Sequence, residues 1–152
     1  ISVAKNILDN RDSGINYESL EKNFNQNSYL WFDDDYSLIY TNRSGELKEY
    51  TNKGNKIILS NVEDGSLLRV QNSNGYIFKS GNGLEFAKNA KSKPRLLTSD
   101  IGKVDEAGLY KRQLYMVING ELKGLNTIKS LGSKDGNLSD IGKCEEFWAG
   151  DN

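Results

Sequence analysis

Turn dipeptides, set at intervals along the chain, constrain this sequence more than any other feature. Asp64-Gly65, Asn74-Gly75, Asn82-Gly83 and Asn119-Gly120 each separate two short apolar stretches, and Ser44-Gly45 and Gly54-Asn55 do the same earlier. Asn-Gly and Asp-Gly suit a type I′ turn, because both of its central residues need a positive φ and its twist matches that of antiparallel strands. A chain punctuated in this way folds as consecutive hairpins. The strands expected between the turns are 28–32, 36–41, 47–51, 56–59, 66–70, 76–79, 84–87 and 113–118. Two hairpins stand out: 66–70 with 76–79, and 113–118 with 121–125 across Asn119-Gly120. Consecutive hairpins make an antiparallel meander.

Before residue 28 the apolar period is closer to 3.6. Ile1, Ala4 and Leu8 share a face, and the turn-forming run 10–14 ends that segment. Asn16 as an N-cap, with Tyr17, Leu20 and Phe24 on one face, predicts a second short helix closed by the Asn-rich run 23–27. The expected fold class is therefore α+β, with an N-terminal helical part (1–27) packed on an antiparallel β-meander sheet (28–125) and an irregular C-terminal segment (126–152). A length of 152 residues fits a single domain with one core.

Composition narrows the chemistry. There is no His, so a Ser-His-Asp triad, a Cys-His pair and an imidazole metal site are excluded. One Cys, Cys144, permits no internal disulfide and no thiolate zinc cluster. Lys and Arg total 20 against 21 Asp and Glu, and the pI is near 5.6, which argues against a dedicated nucleic-acid binder. No apolar run approaches the roughly 18 residues needed to span a bilayer. Residue 1 is Ile and the only Met is Met116, so the sequence reads as a piece of a longer chain.

Several residue groups could carry chemistry. Asp33, Asp34 and Asp35 follow an aromatic strand; adjacent carboxylates need solvent, basic partners or a cation, and calcium takes six to eight hard oxygens. The spaced calcium-loop pattern is absent, and a solvated turn explains the run as well. Lys88, Lys91, Lys93 and Arg95 surround the only proline, Pro94, and read as an exposed basic loop able to touch an anionic partner. Tyr110-Lys111-Arg112 with Arg69 could stabilise phosphate in a His-free ribonuclease. Glu145 and Glu146 beside Trp148 allow a glycosidase reading, although neighbours on one segment rarely face one site.

Tyr29, Trp31, Phe32, Tyr36 and Tyr40 could stack on sugars, but Tyr29 and Trp31 alternate with Leu30 and Phe32, so both faces are apolar, as in a covered central strand. Asn42 and Asn137 open glycosylation-type triplets in a chain with 18 Asn. Ser-Asp-Ile-Gly-Lys at 99–103 recurs at 139–143. That spacing of 40 suits repeat architectures such as propeller blades, and a duplicated turn is the simpler account.

The order of elements resembles the soluble domain of type IV pilus minor pilins and type II secretion pseudopilins. Leu47-Lys48-Glu49-Tyr50, then Asp64-Gly65-Ser66-Leu67-Leu68-Arg69-Val70, then Gly83-Leu84-Glu85-Phe86, is similar to the strand rhythm of some of those proteins. The resemblance implies a helix packed on a sheet, with residues 1–10 as the end of a helix whose membrane half has been removed. The function expected is a non-enzymatic, secreted or surface-displayed bacterial structural or adhesive module. Its partners would be protein subunits of a surface assembly or a host surface ligand, with no nucleic acid and with a membrane only through the removed segment. No cofactor is expected beyond calcium at Asp33, Asp34 and Asp35. The alternatives are an excised RNA-cleaving toxin domain and an acidic immunity or inhibitor protein.

Overall fold

A computed structural model describes residues 24–33, 36–99, 101–127 and 139–143. They form twelve strands: β1 (Phe24–Phe32), β2 (Ser37–Asn42), β3 (Glu46–Thr51), β4 (Gly54–Ser60), β5 (Leu68–Arg69), β6 (Tyr76–Ser80), β7 (Gly83–Ala87), β8 (Arg95–Thr98), β9 (Val104–Tyr110), β10 (Gln113–Ile118), β11 (Glu121–Asn126) and β12 (Ser139–Lys143). Each successive group of four makes one antiparallel sheet: β1-β2-β3-β4, β5-β6-β7-β8 and β12-β11-β10-β9. The sheets begin at Phe24, Leu68 and Val104. The chain divides into two compact units, Ile1–Leu67 and Leu68–Asn152.

The first unit holds the first sheet. Tyr29 lies opposite Tyr40, Trp31 opposite Leu38, and Leu38 opposite Tyr50. Directly opposed residues share a face, and Leu38, Tyr40 and Tyr50 pack together with Trp31 against them. β2 is buried along its whole length, as befits a central strand, whereas the outer strand β4 is largely exposed. The buried carboxylate of Glu49 accepts a 3.0 Å hydrogen bond from Ser37 Oγ and lies 3.6 Å from Lys56 Nζ. Asn42 is buried too: its Oδ1 accepts from the Ser44 and Glu46 amides, each at 3.0 Å, and its Nδ2 donates to Glu46. That side chain organises the β2–β3 turn, so the first glycosylation-type triplet is a structural feature.

The second unit holds the other two sheets, and its core lies between them. Val70, Ile77, Leu84, Phe86 and Leu97 from one sheet pack with Ala107, Leu114, Met116, Ile118 and Leu125 from the other. Alternation explains the selection: on β10, Leu114, Met116 and Ile118 point inward at period two. Burying each such aliphatic side chain contributes about 1.5–3 kcal/mol. The two sheets also meet along their first strands. Gln71 and Gly108 form a parallel bridge, with the Gln71 amide donating to Ala107 O at 2.9 Å and the Leu109 amide donating to Gln71 O at 3.0 Å.

Three expectations are corrected. The fold class is all-β, because the described residues contain no helix and form three antiparallel sheets rather than one sheet under a helix. The pilin and pseudopilin resemblance falls with it, since its strand rhythm crosses from the first sheet into the second instead of building one sheet. Phe24 and the Asn-rich run after it belong to β1, not to the end of a helix: Phe24 pairs with Asn42 across a bulge before Tyr29. The helices expected before residue 24 lie outside the described residues. Both hairpins singled out are present, with Leu68 opposite Ile77 and with Gln113–Ile118 paired in unbroken register to Glu121–Asn126.

A candidate basic binding end

Strand direction gathers three connections of the second unit at one end. β5 runs toward Gln71, and the parallel bridge to Gly108 fixes β9 in the same direction. The connections after β5 (71–75) and after β9 (111–112) therefore leave at the same end. β7 is antiparallel to β6, which is antiparallel to β5, so β7 runs with β5 and its exit (88–94) joins them.

Hydrogen bonds and close packing tie the three together. Asn72 Nδ2 donates to Leu109 O at 3.0 Å, linking the first connection to the end of β9. A Cβ placed on Gly75 would stand 2.6 Å from Ala87 O and 3.2 Å from Lys88 O, so the first connection also lies directly on the third. Each is braced internally. Val70 N–H donates to Gly75 O at 3.0 Å, and Gly75 N–H to Ser73 Oγ at 2.8 Å. Asn89 Oδ1 accepts from the Lys91 amide and from Ser92 Oγ, both at 2.9 Å, while Ala90 is buried beneath. Thr127 donates to Arg112 O through its amide at 2.9 Å and its hydroxyl at 3.1 Å.

The charged side chains of these three connections are all basic. Lys88, Lys91 and Lys93 are exposed, Arg95 opens β8 half-buried, and Lys111 and Arg112 are exposed at the tip of the β9–β10 turn. No Asp or Glu occurs in the three connections. Lys111, at φ 60°, places its ammonium 5.3 Å from the centroid of the Tyr110 ring, a cation–π contact that at exposed sites is worth about 0.5–1 kcal/mol. Cations gathered on neighbouring connections repel one another, and an anion relieves that repulsion. The acidic residues Asp105 and Glu121 stand at the starts of β9 and β11, toward the opposite end.

The structure thus joins two groups that the sequence kept apart, residues 88–95 and 110–112. The signal that could have joined them is strand parity, which needs β8 and β9 to be recognised. Arg69 lies on β5 opposite Tyr76, not at the tip with Lys111 and Arg112. Asp34 and Asp35 lie outside the described residues; Asp33 accepts a hydrogen bond from Trp31 Nε1, and its carbonyl accepts from the Tyr36 amide at 3.2 Å. Among the described residues no cluster of three or more His, Cys, Asp or Glu is placed to hold a metal ion. Glu145, Glu146, Trp148, Cys144 and Asn137 are outside the described residues. Of the aromatic run, Phe32 and Tyr40 are buried, while Tyr29 and Tyr36 are exposed. Among the described residues no helix is long and apolar enough to cross a membrane.

No protein-family model matches the chain. No curated protein matches it. Among solved structures it is similar to two of Hsv2p from Kluyveromyces lactis, at 15% and 14% identity, each with a TM-score of 0.42. Each match covers 75% of this chain and 36% of that one, so the chain spans about a third of the length of the protein it matches. A likeness of that degree carries no statement about function.

Proposed function

We propose that the chain is a non-enzymatic binding module that takes an anionic partner at the basic end of its second unit. The observation that carries this reading is the collection of Lys88, Lys91, Lys93, Lys111 and Arg112 on two of three interlocked connections that contain no carboxylate, with Arg95 at the adjoining start of β8. A chain of net charge −1 has no general excess of cations, so their concentration at one end is a local feature with a local use. The connections are braced by their own hydrogen bonds, which lowers the cost of ordering their backbone on binding. The setting that accords with this use is the secreted or surface-displayed one expected from the sequence.

Calorimetric titration of the full chain with poly-glutamate, heparin and poly-uridylate at about 50 mM and about 300 mM salt tests the reading. Binding to at least one polyanion that weakens steeply with salt is expected, with none to neutral dextran. Absence of binding at low salt would contradict it. Turnover of the poly-uridylate would contradict the non-enzymatic part and assign Lys111 and Arg112 to phosphate stabilisation.

A further inference from the structure

The basic end also indicates which anion it takes. We infer that its partner is a linear acidic polysaccharide, sulfated or rich in uronate, an inference that rests on the binding reading above. Residues 88–95 read Lys-Asn-Ala-Lys-Ser-Lys-Pro-Arg, a basic octamer of the kind that takes nucleic acid or heparin-like polymers. A second basic turn, Lys111-Arg112, leaves the facing sheet at the same end, and the connection 71–75 lies between it and the octamer, touching Leu109 on one side and Lys88 on the other. A single anion reaches one of these groups; a linear polymer with charges along its length reaches both.

Two observations select among polymers. A protein partner needs an apolar or aromatic anchor at the centre of its interface. The connections offer none: Ala90 is buried, Pro94 is half-buried, and the Tyr110 ring is engaged by Lys111. A single-stranded nucleic acid is held by aromatic platforms under its bases as well as by cations along its phosphates. Here four of the six cations are Lys, and one ring stands among them. Lysine ammoniums are point charges on flexible stems, which suits sulfates and carboxylates spaced along a hydrated sugar chain.

The test titrates the full chain with heparin, poly-glutamate and poly-uridylate at about 150 mM salt, and with heparin fragments of increasing length. Heparin is expected to bind at least tenfold more tightly than the other two polymers. K88E/K93E and K111E/R112E are each expected to weaken heparin binding tenfold or more with unchanged thermal melting. A heparin disaccharide should bind at least tenfold more weakly than chains long enough to bridge the two groups, a comparison that needs no variant. Tighter binding of poly-glutamate or poly-uridylate, or a disaccharide as tight as the long chains, overturns the polysaccharide inference and leaves the basic end as an anion site. Heparin binding that both charge reversals leave unchanged overturns the basic end itself.

Discussion

Gly75 sets the geometry of the basic end by what it lacks. Its Cα lies so close to the end of β7 that a methyl group would meet Ala87 O at 2.6 Å and the Phe86 ring at 3.1 Å. Gly75→Ala should therefore destabilise the chain by about 1–3 kcal/mol, the usual cost of forcing an extra carbon into packed surroundings, and denaturant titration reads that directly. Ser80 acts through hydrogen bonding. Its hydroxyl donates to the buried Glu85 carboxylate at 2.9 Å and accepts from the Asn82 amide at 3.1 Å. Ser80→Ala should cost about 1–3 kcal/mol by leaving a buried charge short of a partner; a stability loss below about 0.3 kcal/mol in denaturant titration would refute the role.

Lys123 is a third case. Its pKa lies above the ordinary 10.5, raised first by its hydrogen bond to Asp140, opposed by partial desolvation, and raised further by the charges of Asp140 and Glu121. A raised folded-state value stabilises the fold fully below 10.5, and that contribution fades as pH climbs through the folded-state value. Lys123→Met should thus lower the melting temperature at neutral pH, with the gap to the parent closing in strong alkali and shrinking in high salt. A gap independent of both would show that the charge is irrelevant.

At the scale of elements, hairpins were legible and their grouping was not. The β10–β11 hairpin follows from alternation plus Asn119-Gly120, whose φ values of 53° and 75° fit a type I′ turn. Gly120→Ala is expected to cost about 1–2 kcal/mol, because an L side chain there adopts the left-handed region; thermal melting checks it. The missed strands have identifiable causes. Pro94 and the lysines around it mask β8 as loop, and Asp105-Glu106 and Gly108 break the alternation of β9. The five residues of β12 are identical to 99–103, where Ile101–Lys103 carry no strand and Ile101 packs on the core. In β12 the same sequence pairs with β11 and Ile141 is exposed. Local sequence cannot decide between those outcomes; the neighbouring strand does. Phe24 shows the reverse error, since an apparent helical face gave way to pairing with Asn42.

At the scale of the whole molecule, the repeating unit is a four-stranded antiparallel meander, made three times in succession. Within the second unit two such sheets stack through apolar faces, with their first strands side by side and parallel. Neighbouring blades of a β-propeller are arranged in that manner. The recurrence of Ser-Asp-Ile-Gly-Lys does not follow this unit, since 99–103 joins the second sheet to the third and 139–143 is the last strand of the third. Repetition also accounts for the site. Odd-numbered strands run in one direction within a meander, so connections remote in sequence emerge together, and here those connections are the basic ones. The candidate residues were visible in the sequence as two basic runs; their union depends on strand direction, which no local pattern encodes.

Backbone amide chemical shifts recorded while heparin is titrated into the full chain test this union most directly. The account predicts that the shifts concentrate in 71–75, 88–95 and 110–113 and saturate together. Shifts concentrated instead around Asn119-Gly120, or confined to the first unit, would contradict it.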